Sequence, residues 1–212
     1  MTTPINRRRF IAGLFGFATA PGAVAAQILK TTPTQSRGPF YPLELPLDSD
    51  NDLTRVEGRS QVAAGEITEL SGRLIGLDGR PLRATRIEIW QCDAHGYYHH
   101  PHDRGGQADP DFQGYGQTVS NSDGEYRFRT IRPVAYPGRT PHIHVAVHQT
   151  GSRPFVTQIY IAGEPDNTDD MLFRRIPHER RPLVEARFET VANDADARWR
   201  ARFDIVLDAT AV

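Results

Sequence analysis

The sequence is poor in three things, and each shortage narrows what the chain can do. It holds one cysteine, Cys92, in 212 residues, so a single chain forms neither an internal disulfide nor a multi-cysteine zinc or iron–sulfur site. Any bound metal has to use His, Tyr or carboxylate side chains. Net charge is almost absent, with 25 basic against 26 acidic side chains, which argues against nucleic acid and anionic lipid as partners. Lysine is nearly missing as well: only Lys30 is present, so almost every cation is a planar guanidinium, a composition that codon bias toward arginine accounts for. A chain of this length favours one domain with a sizeable core.

Long apolar runs are also scarce. The one at the start, Phe10 to Ala20, is shorter than the roughly 20 residues that span a bilayer, so no stable membrane anchor is expected. With Arg7, Arg8 and Arg9 before it and Ala23-Val24-Ala25-Ala26 after it, residues 1–26 have the three parts of a signal peptide. The order Asn6-Arg7-Arg8-Arg9-Phe10-Ile11 and the glycines at 13, 16 and 22 resemble a twin-arginine signal. The expectation is export by the twin-arginine machinery after folding, to the periplasm or beyond, with cleavage near residue 26. Removing that segment deletes three arginines and no acids, leaving 22 basic against 26 acidic residues, a net of −4.

Residues 27–65 are broken by Pro33, Pro39, Pro42 and Pro46, which exclude a long helix and favour an irregular wrap on the core. The domain proper is expected over 66–212. There the chain reads as short runs bounded by turn residues. Ile67 to Leu77, Asp78-Gly79 and Thr85 to Cys92 predict a β-hairpin. Tyr115 to Asn121, Ser122-Asp123-Gly124 and Glu125 to Ile131 repeat the pattern, with Tyr126, Phe128 and Thr130 on one face. Further strands are expected at His142 to Gln149, Phe155 to Ala162 and Trp199 to Leu207, and short helices at Asp169 to Arg175 and Pro182 to Thr190. The expected fold class is all-β: a single β-sandwich with an irregular N-terminal wrap and a few short helices.

His142 and His144 lie two apart on a predicted strand, so both imidazoles point to one face and Ile143 to the other. That spacing suits a metal, and equally a pair of semi-buried histidines. Tyr97, Tyr98 and Tyr136 stand nearby in sequence. Phenolate is a hard anionic ligand that favours ferric iron over softer metals, though tyrosines beside strands are ordinarily core residues. His95, His99, His100 and His102 crowd one loop without a ligand spacing.

Four segments, taken in order, resemble the intradiol ring-cleavage dioxygenases: Gly38-Pro39-Phe40-Tyr41; Glu88-Ile89-Trp90-Gln91-Cys92-Asp93 with Gly96 and Tyr98; Asp123-Gly124-Glu125-Tyr126-Arg127-Phe128-Arg129-Thr130-Ile131; and Arg139-Thr140-Pro141-His142-Ile143-His144. The likeness is to the protocatechuate-type and exported members. It implies that Tyr98, Tyr136, His142 and His144 bind non-haem Fe(III), Tyr98 rather than Tyr97 because the family tyrosine lies eight positions after the tryptophan. It also implies that Arg139 faces the bound ring, that Tyr136 leaves the metal as it takes up a phenol proton, and that Gln158 lies near the same pocket. A catechol-type substrate and O2 would give a muconate-type diacid, with no organic cofactor. Members of the family commonly assemble, which allows a homo-oligomer. One departure stands out: only Pro137 to Pro141 separate Tyr136 from His142, a shorter loop than in protocatechuate enzymes, so substrate preference does not transfer. Two alternatives explain part of the pattern. A transthyretin-like binding module would share the Gly72 to Leu82 turn region and need none of the four ligands. A cupin-like metalloenzyme would use His142 and His144 but expects a glutamate soon after, and Val145 to Gly151 contains none.

Overall fold

A computed structural model describes residues 29–46, 48–104, 107–192 and 197–208, so the expected signal peptide lies outside the described residues. The architecture is two five-stranded sheets packed face to face, with a single four-residue α-helix among the described residues. The strands are β1 (Ile67–Gly76), β2 (Arg86–Trp90), β3 (Tyr115–Val119), β4 (Glu125–Ile131), β5 (His142–His148), β6 (Phe155–Ile161), β7 (Glu185–Ala186), β8 (Phe188–Thr190), β9 (Trp199–Arg202) and β10 (Ile205–Leu207).

In the first sheet β1 is flanked by antiparallel β4 on one edge. On the other edge it pairs in parallel first with β9 and then with β10, and β8 adds outside β9. The expected single strand from Trp199 to Leu207 is therefore two, broken at Phe203-Asp204. Gly72 sits at the break, where a Cβ would lie 1.8 Å from the Phe203 carbonyl oxygen, so no other residue fits. The second sheet runs β3-β2-β5-β6-β7.

Period-two alternation sets the core. Leu70, Leu74, Tyr126 and Phe128 from the first sheet meet Ile87, Ile89, Ile143, Val145 and Val147 from the second, all buried. This is the packing of a sandwich, in which the inner faces of both sheets supply the apolar layer. Tyr126, Phe128 and Thr130 share the buried face of β4 as their spacing predicts.

Both predicted hairpins fail, for one physical reason. Asp78-Gly79 does reverse the chain: Gly79 has φ +79°, Ile75 bridges Pro81, and the Leu82 amide donates to the Leu74 carbonyl. The chain then turns at Ala84 (φ +47°) and crosses to the other sheet, where β2 pairs with β3 and β5. Likewise β3 and β4, on either side of Gly124, belong to different sheets. Turn residues specify a reversal over about four positions; the ladder partner is set by which faces must be buried, and four of the five residues of β2 are buried.

The helix expected at Asp169 to Arg175 is present as α1 (Met171–Arg174), started by Asp170, whose Oδ1 accepts from the Leu172 and Phe173 amides at 2.9 Å. The one expected at Pro182 to Thr190 is absent. A 3-10 turn over His178–Leu183 leads instead into β7 and β8. Val184 and Ala186 are buried between outward Glu185 and Arg187, a period of two, and β7 joins β6 in parallel.

Before β1 the described residues form no strand, only a bridge between Asp52 and Arg129. This segment crosses both sheets: the Thr32 amide donates to Val206, the Gln35 amide to Val156, and Leu53 enters the core. Residues 35–41 lie across the outward face of the second sheet.

Candidate active site

The alternation that buries Ile143, Val145 and Val147 turns His142 and His144 to that outward face, where the N-terminal segment and two loops cover them. Both histidines are about 1% exposed. Their Nε2 atoms lie 3.2 Å apart. His142 Nδ1 is 2.7 Å from the Thr140 carbonyl, which makes Nδ1 the protonated nitrogen and leaves the Nε2 lone pair free. Trp90, across the ladder from His144, stacks on its ring at 4.8 Å and 7°. Gly38 (φ +73°) closes the other side, and a Cβ there would come within 3.1 Å of His144 Cε1.

Tyr98 arrives on a loop organised by Asp93, whose Oδ1 accepts from the His95 and Tyr97 amides. Asp103 takes the Tyr98 amide at 2.7 Å. Gly96 (φ +80°) lets this loop come against Tyr136, where a Cβ would stand 3.2 Å from the Ala135 carbonyl oxygen. Tyr136 begins a tight turn through Pro137 and Gly138 (φ +81°), closed by the Arg139 amide donating to the Tyr136 carbonyl at 2.9 Å. Pro and Gly at the two central positions suit a type II turn, so the short loop is rigid. The two tyrosine rings meet edge to face at 5.6 Å, and Tyr136 lies 5.5 Å from His142.

Arg139 is held on three sides: Nε donates to Asp170 Oδ2 at 2.7 Å, one terminal nitrogen to Gln158 Oε1 at 2.5 Å, the other to the Tyr136 hydroxyl at 3.3 Å. Gln158, wholly buried, pairs with His144 across β5–β6. All six residues singled out in the sequence thus form one contact network, joined by Asp170, Trp90 and Phe40, which sequence reasoning assigned no part. Asp170 had a faint signal, an acid directly before the apolar Met171-Leu172-Phe173.

The electrostatics suit a cation. Burial first, then the Arg139 guanidinium, lowers His142 to about 3. Burial, then His142 and Arg139, holds His144 well below the ordinary imidazole value. Both rings are neutral donors at working pH. Burial pushes Tyr98 well above the ordinary phenol value, with Tyr136 beside it adding to the rise. Tyr136 is also raised by burial, though Arg139 counters part of that. The buried Tyr98 hydroxyl and His144 Nδ1 take no hydrogen bond among the described residues, an expense that proteins seldom leave uncompensated. No group of three His, Cys, Asp or Glu side chains stands together as a metal-ligand cluster among the described residues. Two phenols beside two neutral imidazoles fit a hard cation. Two of the loop histidines have ring contacts of their own: His99 Nε2 contacts the Asp109 carbonyl and His100 Nδ1 accepts the His102 amide. A cavity of about 590 Å³ is walled by Phe40, Tyr98, Phe112 and Tyr115 but by neither histidine.

Comparisons with known proteins identify the fold and the family. A family described as dioxygenase matches residues 37–209; the chain belongs to the intradiol ring-cleavage dioxygenase family. It is 36% identical over 174 residues to the protocatechuate 3,4-dioxygenase beta chain of Burkholderia cepacia, covering 76% of this chain and 74% of that one. It is 31% identical to the 6-chlorohydroxyquinol 1,2-dioxygenase of Cupriavidus pinatubonensis, over 70% of this chain and 56% of that one. The chain spans between 52% and 62% of the length of six catechol and hydroxyquinol 1,2-dioxygenases, those of Acinetobacter baylyi and Nocardioides simplex at the two ends of that range. Among solved structures, the dioxygenase domain of a dioxygenase carbohydrate-binding protein fusion from Streptomyces sp. SirexAA-E superposes with a TM-score of 0.65 at 29% identity, covering 85% of this chain and all of that one.

Proposed function

We propose that this chain cleaves catechol-type rings between the two hydroxylated carbons, using O2 and a non-haem Fe(III) held by Tyr98, Tyr136, His142 and His144. The observation that carries the proposal is the pair of buried neutral Nε2 atoms 3.2 Å apart beside two tyrosines, one with its hydroxyl unpartnered among the described residues. When bound, ferric iron would supply Lewis acidity and a template for both catechol oxygens. The chain's own groups do the rest. Tyr136, more exposed than Tyr98 and hydrogen-bonded by Arg139, would, once held as a phenolate by the metal, be the oxygen suited to take up a catechol proton. Arg139, its position set by Asp170 and Gln158, puts a permanent positive charge where negative charge builds on the ring. Phe40, Trp90 and Gly38 keep water from the histidines. Export through the twin-arginine route, before which a folded chain could acquire its metal, is proposed for residues 1–26. Among the described residues no helix is long and apolar enough to cross a membrane.

Iron-loaded protein is expected to be burgundy from tyrosinate-to-iron charge transfer and to consume O2 with catechol, protocatechuate, hydroxyquinol or larger catechols, giving products opened between the hydroxyls. A colourless iron-loaded protein, or a spectrum unchanged in the Tyr98→Phe, Tyr136→Phe double variant, would sink the site. Products opened beside the hydroxyls would sink the intradiol reaction.

A further inference from the structure

Two residues before Trp90, on the same outward face of β2, lies a carboxylate that the proposed chemistry does not use. Glu88 is 0% exposed. Arg86 Nε stands 3.4 Å from its Oε1 and supplies opposite charge, and His148 Nε2 lies 2.9 Å away, yet Oε1 accepts no hydrogen bond among the described residues. Its other oxygen accepts from the Tyr41 hydroxyl at 2.9 Å. A hydrogen bond to a buried carboxylate is among the stronger side-chain contacts, and this one ties the irregular N-terminal segment to the sheet beneath.

What Tyr41 holds down is the cover of the metal site. Its ring stands edge-on to Trp90 at 5.0 Å and 89°, and Trp90 in turn stacks on His144. The residue before it, Phe40, stacks on Tyr98 at 4.7 Å and meets Tyr136 edge to face at 6.2 Å. Three residues before it, Gly38 lies against His144. Residues 38–41 therefore touch both tyrosines and one histidine of the proposed centre without supplying a ligand, and the segment forms no strand that would anchor it by ladder hydrogen bonds.

We propose that Tyr41 is a positioning residue: its hydrogen bond to Glu88 holds the strap of residues 38–41 against Tyr98 and His144, and thereby sets how firmly the centre retains its metal. The inference rests on the iron-site reading above. Its effect falls on ligand position and metal release, because Tyr41 itself touches no proposed ligand.

The test is iron release. Wild type, Tyr41→Phe and Glu88→Gln are loaded with ferric iron and mixed with EDTA well below their melting temperatures, and the decay of the tyrosinate-to-iron absorption is followed. Tyr41→Phe keeps the ring and loses only the hydroxyl; it is expected to release iron ~10-fold faster with a shifted absorption maximum. Glu88→Gln, which still offers Tyr41 an acceptor oxygen, is expected to stay closer to wild type. Val147→Ala, in the core between the sheets, serves as the control for lost stability and is expected to release iron at the wild-type rate despite a lower Tm. Wild-type release from Tyr41→Phe, or equally fast release from Val147→Ala, would overturn the proposal while leaving a coloured wild-type protein and the iron site intact. A colourless wild-type protein would overturn both.

Discussion

The two faces of the second sheet are built from the same strands and obey different rules. Toward the first sheet β2 and β5 present Ile87, Ile89, Ile143, Val145 and Val147, side chains that are interchangeable in kind and act through area removed from water. Toward the N-terminal strap the intervening positions present Glu88, Trp90, His142 and His144, each with a specific neighbour. The covalent period of two in a strand lets one segment carry stability on one side and chemistry on the other. Substitutions one residue apart should therefore fail in different ways.

The largest contrast is between neighbours on β5. Ile143→Ala is expected to cost about 2–5 kcal/mol of folding stability, seen as a lower denaturant midpoint, while the iron spectrum of the remaining folded protein is unchanged. His144→Ala is expected to lower iron affinity by more than the roughly 10- to 100-fold that loss of a supporting contact costs, with a denaturant midpoint of the metal-free protein near that of wild type. If the two variants lose stability alike and iron alike, the division between the faces is wrong.

A smaller effect is expected at Asp170, which aims Arg139 from outside the sheet. Burial alone would raise its carboxyl, but the Phe173 amide, the Arg139 guanidinium and the Thr140 amide outweigh it and hold the group below its ordinary value. A folded-state value below the unfolded one gives stability that is present above the unfolded value, near ~3.9, and lost as pH falls toward the folded one. Asp170→Asn should accordingly flatten the fall of Tm on acidification below about pH 4, and it should lower kcat/KM by up to roughly 100-fold through a displaced Arg139. An unchanged acid slope would show that the carboxylate is not held this way. The smallest effect is expected at Gly38→Ala, where a φ of +73° and a contact 3.1 Å from His144 Cε1 should cost ~1–2 kcal/mol and shift the iron absorption without abolishing it.

Much of this was legible in the sequence, and the exceptions have a common cause. Strand positions and faces followed from alternation, as in Tyr126, Phe128 and Thr130. In the candidate site His142 and His144 stood out by strand spacing, whereas Tyr98, Tyr136, Arg139 and Gln158 were singled out through the family resemblance. What local pattern did not carry was partnership. Asp78-Gly79 and Ser122-Asp123-Gly124 predicted reversals, and reversals occurred, but each delivered its strand to the opposite sheet. A short helix was expected over Pro182 to Thr190, where burial of Val184 and Ala186 alongside β6 imposed an extended chain. Asp170 and Glu88 matter through residues 31 and 47 positions away, Arg139 and Tyr41, and a lone acid in a sequence does not name its partner.

The middle of β1 has a consequence for the order of events as the chain is made. It is made before β9 and β10, so one of its edges stays open until they arrive; the Arg73 amide bonds Asp204, 131 residues later. Closing that edge also fixes the strap, because Thr32 bonds Val206. Contacts this distant in sequence slow folding and leave an exposed strand edge for the whole interval. For this molecule the vulnerable period is translation itself, when β1 is complete and its partners are still unmade.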